Sequence, residues 1–405
     1  MSSDLFMPST ETIFTQESEG TMIVNMGPQH PSTHGVLRVI CELDGETIVK
    51  AKCVIGYLHT GMEKEAEYQT YHKCVVMTDR MDYLNANGNN LAHALAVEKL
   101  LGIEVPKRGQ YLRVILAELS RLASHCVWLG THALDMGAMT PFFYIMQQRE
   151  MVLDMFEMFS GVRMMPSWIV PGGLRGDIPD GFEVKLRNFL EEFPKELGVV
   201  EDLLVNNPIW KERSTGVGVL TGPEALALGC SGPIARASGV AWDLRKSNPY
   251  CSYEDFDFLI PVGQHGDVYD RFLVRIAEMK ESCKILRQAI DGLPSGPYNT
   301  LDRKVSPPTR SELDTSMEAV IHHFKLYTEG FRPPVGEAYG CVEGSKGELG
   351  FYIVSDGTNR PYRWHERPSS FMNLKSLEVM AEGRLIADVI AIIGSIDIVL
   401  GEIDR

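Results

Sequence analysis

The chain has 405 residues, 44% hydrophobic and 23% charged, with 39 Lys and Arg against 54 Asp and Glu and a net charge of -15. That much apolar material excludes general disorder. The acidic balance excludes a broad nucleic-acid footprint, which needs clustered cations to displace phosphate counterions. At about 100–200 residues per domain, the length allows two or three domains or one large fold.

Residues 1–20 are polar, contain no Lys or Arg and read as a tail, neither a signal nor a transit peptide. Residues 21–75 read as an N-terminal β region of short alternating runs, with Asp44-Gly45 as a turn signal. A loop rich in turn residues, Gly27 to Gly35, joins two of these runs. Residues 76–405 are predicted to form a helical core with β insertions near 213–262 and 335–366. Leu112, Ile115, Leu116, Leu119, Leu122 and Ala123 recur at helical spacing and predict a helix over 110–130. Further helices are predicted from Pro141 to Ser160, from near Asp180, and over 266–290 and 372–394. Ser311-Glu-Leu-Asp314 reads as a capping box. The most apolar stretch, Leu385 to Leu400, contains Asp388 and Asp397 and is too short to span a bilayer. The fold class is therefore α+β, predominantly α, as one integrated fold.

The eight cysteines form no CxxC pair, which argues against zinc-ribbon, ferredoxin and thioredoxin chemistry. They read as reduced thiols. P-loop, HExxH and GxSxG signatures are missing. His30-Pro-Ser-Thr-His34-Gly35 presents two imidazoles on a loop shaped by Pro and Gly, fit for a proton donor or a ligand, or for turn chemistry alone. His59, in Tyr57-Leu-His59-Thr-Gly61, reads as a hydrogen-bonded structural residue. Arg80-Met-Asp82-Tyr83 gathers a cation, an anion and a phenol, as a site or as a surface ion pair. His132 and Asp135 are spaced for a relay pair. His125 and His132, seven apart, read as satisfied groups rather than metal ligands. Dense Met and Phe over 136–165 suit either an apolar cavity or plain core.

Longer blocks carry a resemblance. Met26-Gly-Pro-Gln-His-Pro-Ser-Thr-His-Gly-Val-Leu-Arg38, Ile55-Gly-Tyr-Leu-His-Thr-Gly-Met-Glu-Lys64, Arg80-Met-Asp-Tyr-Leu84 and Glu118-Leu-Ser-Arg-Leu-Ala-Ser-His125 open the series. Gly137-Ala-Met-Thr-Pro-Phe-Phe143, Ala241-Trp-Asp-Leu-Arg-Lys246, His323-Phe-Lys-Leu-Tyr-Thr-Glu-Gly330 and Val354-Ser-Asp-Gly-Thr-Asn-Arg-Pro-Tyr-Arg363 continue it, and the terminus from Ile392 to Arg405 closes it. Together they resemble the D (49-kDa-type) subunit family of respiratory complex I, the proton-pumping NADH:quinone oxidoreductase.

That family is similar in fold to the nickel–iron hydrogenase large subunit. The resemblance implies that Asp82 with Asn85, and Val399 with Glu402, stand where hydrogenases hold metal through CxxC pairs. With no thiolate left, nickel binding is not expected, and the vacated cavity is implied to hold a quinone headgroup. His34 and Tyr83 are implied to hydrogen-bond the two quinone carbonyls, Asp135 to partner His34, and Arg80 to lie near an iron–sulfur cluster carried by a neighbouring subunit. No metal or cluster is expected on this chain; NADH, FMN and iron–sulfur clusters belong to other subunits. The implied partners are the subunit with the terminal cluster, the adjacent C-type peripheral subunit and the membrane-embedded quinone-channel subunit. The implied location is the cytoplasmic face of a bacterial inner membrane.

One stretch departs from the family pattern. Met165, Trp168 and Val170 stand where family members usually have His, Tyr and Arg. Two other readings stay open: a non-catalytic assembly scaffold on the same fold, and the same subunit in a ferredoxin-fed complex. An active hydrogenase is argued against by the missing CxxC pairs.

Overall fold

The computed structural model describes residues 20–405; the tail expected over 1–20 lies outside them apart from Gly20. Strands β1 (Met22–Met26), β2 (Arg38–Asp44) and β3 (Thr47–Val54) form an antiparallel sheet in that order, with Gly45 turning β2 into β3 at φ 63°. Only glycine enters that left-handed region without strain. The predicted β region extends to residue 75, but the strands end at Val54. Met62–Ala66 and Val75–Thr78 are short helices instead, the first opened by Gly61 at φ 73° with Glu63 and Glu65 in its first turn.

Helix α1 (Ala86–Leu101) is buried almost all round, and α2 (Lys107–Asp135) is the longest. With a rise of about 1.5 Å per residue, α2 runs ~43 Å through the molecule. It starts after Pro106 and stops before Gly137, at φ 87°. Helices α3 (Thr140–Ser160) and α5 (Val268–Asp291) pack against it, and α4 (Phe182–Leu204) packs against α3 and α5. The predicted helices over 110–130, 141–160 and 266–290 correspond to α2, α3 and α5, and α4 starts two residues after Asp180. Between α3 and α4, β4 (Ile169–Val170) and β5 (Gly173–Leu174) make a tight hairpin over Pro171-Gly172, with Gly172 at φ 90°.

Residues 213–262 hold no strand, which corrects the β insertion expected there. They form short helices, Gly222–Ala227, Pro233–Ala237 and Leu244–Ser247, and a 3-10 turn at Tyr253–Asp255. Pro223 and Pro233 occupy first turns, Thr221 and Glu224 make a capping box, and Asp243 caps Arg245. Capped single turns broken by glycine leave apolar runs as short as strands do. The capping box near 311 is likewise formed two residues earlier, by Thr309 and Glu312, before Arg310–Thr315. Ser316 then caps helix α6 (Met317–Thr328).

Strands β6 (Gly336–Glu343), β7 (Glu348–Ser355) and β8 (Arg363–Arg367) form a second three-stranded antiparallel sheet, packed on α1. The helix predicted over 372–394 is two helices, α7 (Ser369–Ala381) and α8 (Ile386–Ile396), separated at Gly383 with φ 74°. Helix α9 (Leu400–Asp404) follows.

Among the described residues the architecture is α+β, with long helices dominating three small antiparallel sheets. Two apolar clusters hold it. One is built on α1 to α5 and the β6–β8 sheet, the other on the β1–β3 sheet, α7 and α8. Among the described residues no helix is long and apolar enough to cross a membrane.

Candidate functional site

The His30–His34 loop is shaped by its own backbone. Thr33, fully buried, donates from Oγ1 to the His30 carbonyl at 2.8 Å and from its amide to the same carbonyl at 3.1 Å. A Cβ on Gly27 would lie 2.1 Å from the Leu37 carbonyl oxygen, so the loop closes only over glycine. His34 takes φ 52° and Gly35 φ 91°, which turns the half-buried imidazole inward. Burial and the Lys346 ammonium push the His34 pKa down to about 4. At neutral pH the ring is therefore uncharged, with one N–H donor and one acceptor.

The Arg80–Tyr83 segment lies between the second short helix and α1. Arg80 is exposed and donates to the Val76 carbonyl at 2.6 Å. Asp82 is buried, accepts the Leu84 amide at 3.1 Å and offers its own carbonyl to Asn89. Tyr83 is half-buried, and its pKa is raised by burial and by the Asp82 charge. Helix α9 closes over this segment. A Cβ on Gly401 would lie 2.4 Å from the Met81 carbonyl oxygen and 3.2 Å from the Tyr83 ring.

The centre of the arrangement is Lys346, on the buried turn between β6 and β7. Its ammonium lies 3.2 Å from Asp82, 3.0 Å from Ser124 Oγ, 3.3 Å from Ser345 Oγ and 4.0 Å from Asp397. Burial would lower its pKa, but Asp82, Asp397 and Glu402 raise it overall, so Lys346 is charged. Asp397 ends α8 in a left-handed conformation at φ 59°. Burial lifts its carboxyl to about 6 against the pull of Lys346 and Arg275. Glu402, on α9, is lifted to about 7 by burial and by Asp82. Asp82 and Glu402 are thus electrostatic neighbours beside one lysine.

Asp135 is half-buried, its carboxyl raised to about 6 by burial, and the histidine that acts on it is His30. His132 does not pair with Asp135. It is fully buried with neither ring nitrogen hydrogen-bonded among the described residues, stacked on Trp128 at 5.7 Å and edge-on to Trp210 at 5.3 Å. His125 contacts Glu278 at 3.2 Å in a buried network with Arg236. His59 Nδ1 meets the Asp404 carbonyl at 2.5 Å, anchoring its loop to α9. The Met and Phe stripe is mixed: Met155, Phe156 and Phe159 are core, whereas Met139 and Phe143 are 60% and 58% exposed.

The departing stretch is strained. Met165 and Ser167 take φ 56° and 45°, and Ser167 hydrogen-bonds buried Asp79. Trp168 packs over Gly176, where a Cβ would lie 2.8 Å from its ring. Val170 gives its carbonyl to Arg113 at 2.9 Å. A void of about 660 Å³ opens beside the His30 loop, lined by Val24 to His30 together with Ile386, Ala387 and Ile390.

Lys346, Asp397 and Glu366 escaped sequence reasoning. Lys346 sits in Gly344-Ser-Lys-Gly347, which reads as a solvated turn. Only Asp397, an acid in the most apolar stretch, left a signal.

Residues 135–405 match the family described as the 49-kDa subunit of respiratory-chain NADH dehydrogenase. The chain belongs to that family. It is 55% identical over 408 residues to the first of the D-type NADH-quinone oxidoreductase subunits of Roseiflexus castenholzii, covering 99% of this chain and 98% of that one. It is 53% identical over 411 residues to the second such D-type protein of Chloroflexus aurantiacus, covering both chains completely. Its identity to the D-type NADH-quinone oxidoreductase protein of Geotalea uraniireducens is also 53%, over 95% of this chain and 98% of that one. Membership makes the chain one component of a multi-subunit oxidoreductase.

Proposed function

We propose that this chain is the quinone-site subunit of a proton-translocating NADH:quinone oxidoreductase, holding the headgroup between His34 and Tyr83. The observation that carries the reading is the shared neighbour of the two residues. Buried Lys346 acts electrostatically on both His34 and Tyr83, and Asp82 fixes the lysine from the Tyr83 side. The hydrogenase-like fold relation, with residues 21–405 as one integrated fold, belongs to the same reading. So do the peripheral place on the cytoplasmic face of a bacterial membrane, the cluster-bearing, C-type and membrane-embedded partners, and Arg80 facing the cluster.

The chemistry follows from the side chains. A quinone carbonyl needs a hydrogen-bond donor, and neutral His34 and the Tyr83 phenol each supply one. A phenol whose pKa is raised keeps its proton until reduction makes the quinone oxygen basic enough to take it. Lys346 then offsets the charge left behind. Asp135 would act on the loop through His30. Electrons arrive from the neighbouring subunit's cluster, so this chain handles position and protons.

The test is Tyr83→Phe in the assembled complex, which deletes one hydroxyl and little volume. Quinone reduction is expected to fall while reduction of a water-soluble acceptor and assembly persist. Unchanged quinone turnover would remove Tyr83 from the site. The scaffold reading is favoured only by Met165 and Val170 and would then come forward.

A further inference from the structure

Four buried carboxyls surround the Lys346 end of the site: Asp82, Asp397, Glu402 and Glu366. Of these, only Asp82 has a cation within hydrogen-bond distance among the described residues. Among the described residues both oxygens of Glu366 are buried with no hydrogen-bond partner, and Glu402 keeps one such oxygen while the other accepts the Ser370 amide at 3.0 Å. An ionised carboxylate without donors is expelled by an apolar interior, so such groups are held as neutral acids. Burial, and then the charge of Glu402, raises the Glu366 carboxyl well above its ordinary range.

These acids form a series in which each acts electrostatically on the next. Glu63 is the outermost, its side chain 16% exposed. His365 lies 2.9 Å from it, Arg405 3.0 Å and Arg363 3.2 Å, and the Glu366 amide donates to it at 3.1 Å. The charged groups acting on Glu366 are Glu402, Arg405, Glu63 and Asp82. Those acting on Glu402 are Asp82 and Lys346, with Ser369 and Ser370 as hydrogen-bond donors. Tyr83 in turn is acted on by Asp82, Lys346 and Glu402. The line runs from a partly exposed carboxylate, through two acids with free lone pairs, to the phenol.

We propose that Glu366 and Glu402 form a proton relay from the Glu63 cluster to Tyr83. The proposal rests on Tyr83 binding the quinone. Reduction of quinone to quinol takes two electrons, delivered by the neighbouring subunit's iron–sulfur cluster, and two protons. As one quinone O–H bond forms, the Tyr83 O–H bond breaks; the other quinone oxygen takes its proton from water, outside this relay. The phenolate regains a proton from Glu402, Glu402 from Glu366, and Glu366 from water at the Glu63 cluster, where His365, Arg405 and Arg363 hold the Glu63 carboxylate ionised against its burial. The protein ends the cycle unchanged, with the Lys346 charge offsetting the transient anions at Tyr83 and Glu402, and Arg405 the one at Glu366.

The test uses the assembled complex with Glu366→Gln, which keeps size and removes the exchangeable acid. The quinone kcat is expected to fall about tenfold or more, with KM kept, a larger solvent isotope effect, and normal reduction of a water-soluble acceptor. Glu366→Asp is expected to restore part of the rate, which a merely structural role would not do. Unchanged kcat and isotope effect in Glu366→Gln, beside a defective Tyr83→Phe, overturn the relay and leave the quinone site standing. Unchanged quinone turnover in both variants overturns the site itself. Should Glu366→Gln fail to assemble, redox-induced infrared difference spectra of the unsubstituted complex decide. A deuterium-sensitive carboxylic-acid band that shifts on quinone reduction, and is missing in Glu402→Gln, supports the relay; no such band overturns it.

Discussion

At the residue scale, environment rather than type decides chemistry. Five buried or half-buried histidines, His34, His72, His93, His125 and His132, have their pKa values pushed down by burial, so none is a standing cation at neutral pH. Met165 is the complementary case, an apolar residue where the family pattern has a titratable ring. We propose that a titratable ring at this position couples cluster reduction to proton uptake. Met165→His is accordingly expected to steepen the pH dependence of the neighbouring cluster's potential, read by redox titration of the complex at several pH values. A slope already full with Met165 in place would show that coupling does not need that imidazole.

At the element scale, buried ion pairs tie segments that hydrophobic patterning alone leaves independent. Arg113 on α2 contacts Glu98 on α1 at 2.5 Å and donates to the Val170 and Gly173 carbonyls. Glu98 accepts the Gly172 amide at 2.8 Å. Two helices and the β4–β5 hairpin therefore share one charge pair. Arg113→Met leaves Glu98 uncompensated in the interior and is expected to destabilise the chain by about 3–5 kcal/mol. Urea denaturation of the full chain reads that loss. The double variant with Glu98→Gln, which removes the stranded charge, is expected to recover part of it. The strand and helix boundaries around such pairs were partly legible. The starts of α3 and α4 were read from Pro141 and Glu183. The break at Gly383 was not, because an apolar run continues on both sides of it.

At the scale of the whole molecule, retained protons make stability depend on pH. The folded Glu402 carboxyl titrates at about 7 against an ordinary 4.5, and Asp397 at about 6 against 3.8. The unfolded chain releases these protons at the ordinary values, so between them it binds fewer protons than the folded chain. Their contribution is therefore fully present below the ordinary values and lost as pH rises to about 7. Glu402→Gln abolishes its own share. Its melting temperature relative to the parent is expected to rise between pH 4.5 and 7 and stay level above, by the equivalent of about 1–3 kcal/mol. A pH-independent difference would show that Glu402 is ionised in the folded chain. Glu118 and Glu278 act oppositely. Burial alone would raise both, but Arg121 and Arg245 around Glu118, and Arg236 beside Glu278, hold them down at about 2, so their stabilisation is present above the ordinary 4.5 and lost as pH falls to about 2.

The sequence alone determined the α+β class, the long helices and the family, because helical spacing, Pro and Gly punctuation and long ordered blocks are local properties of the chain. It also marked His34, Tyr83 and Asp82, which sit in short dense clusters of chemical groups. Only the tertiary structure decided that Lys346 from a glycine-rich turn, Asp397 from a helix end, Glu366 from a strand and Glu402 from the last helix meet in one buried place. It likewise set Asp135 against His30 and left His132 between tryptophans. Burial and charge pairing are created by contacts across hundreds of residues, and no pattern within a short window carries them.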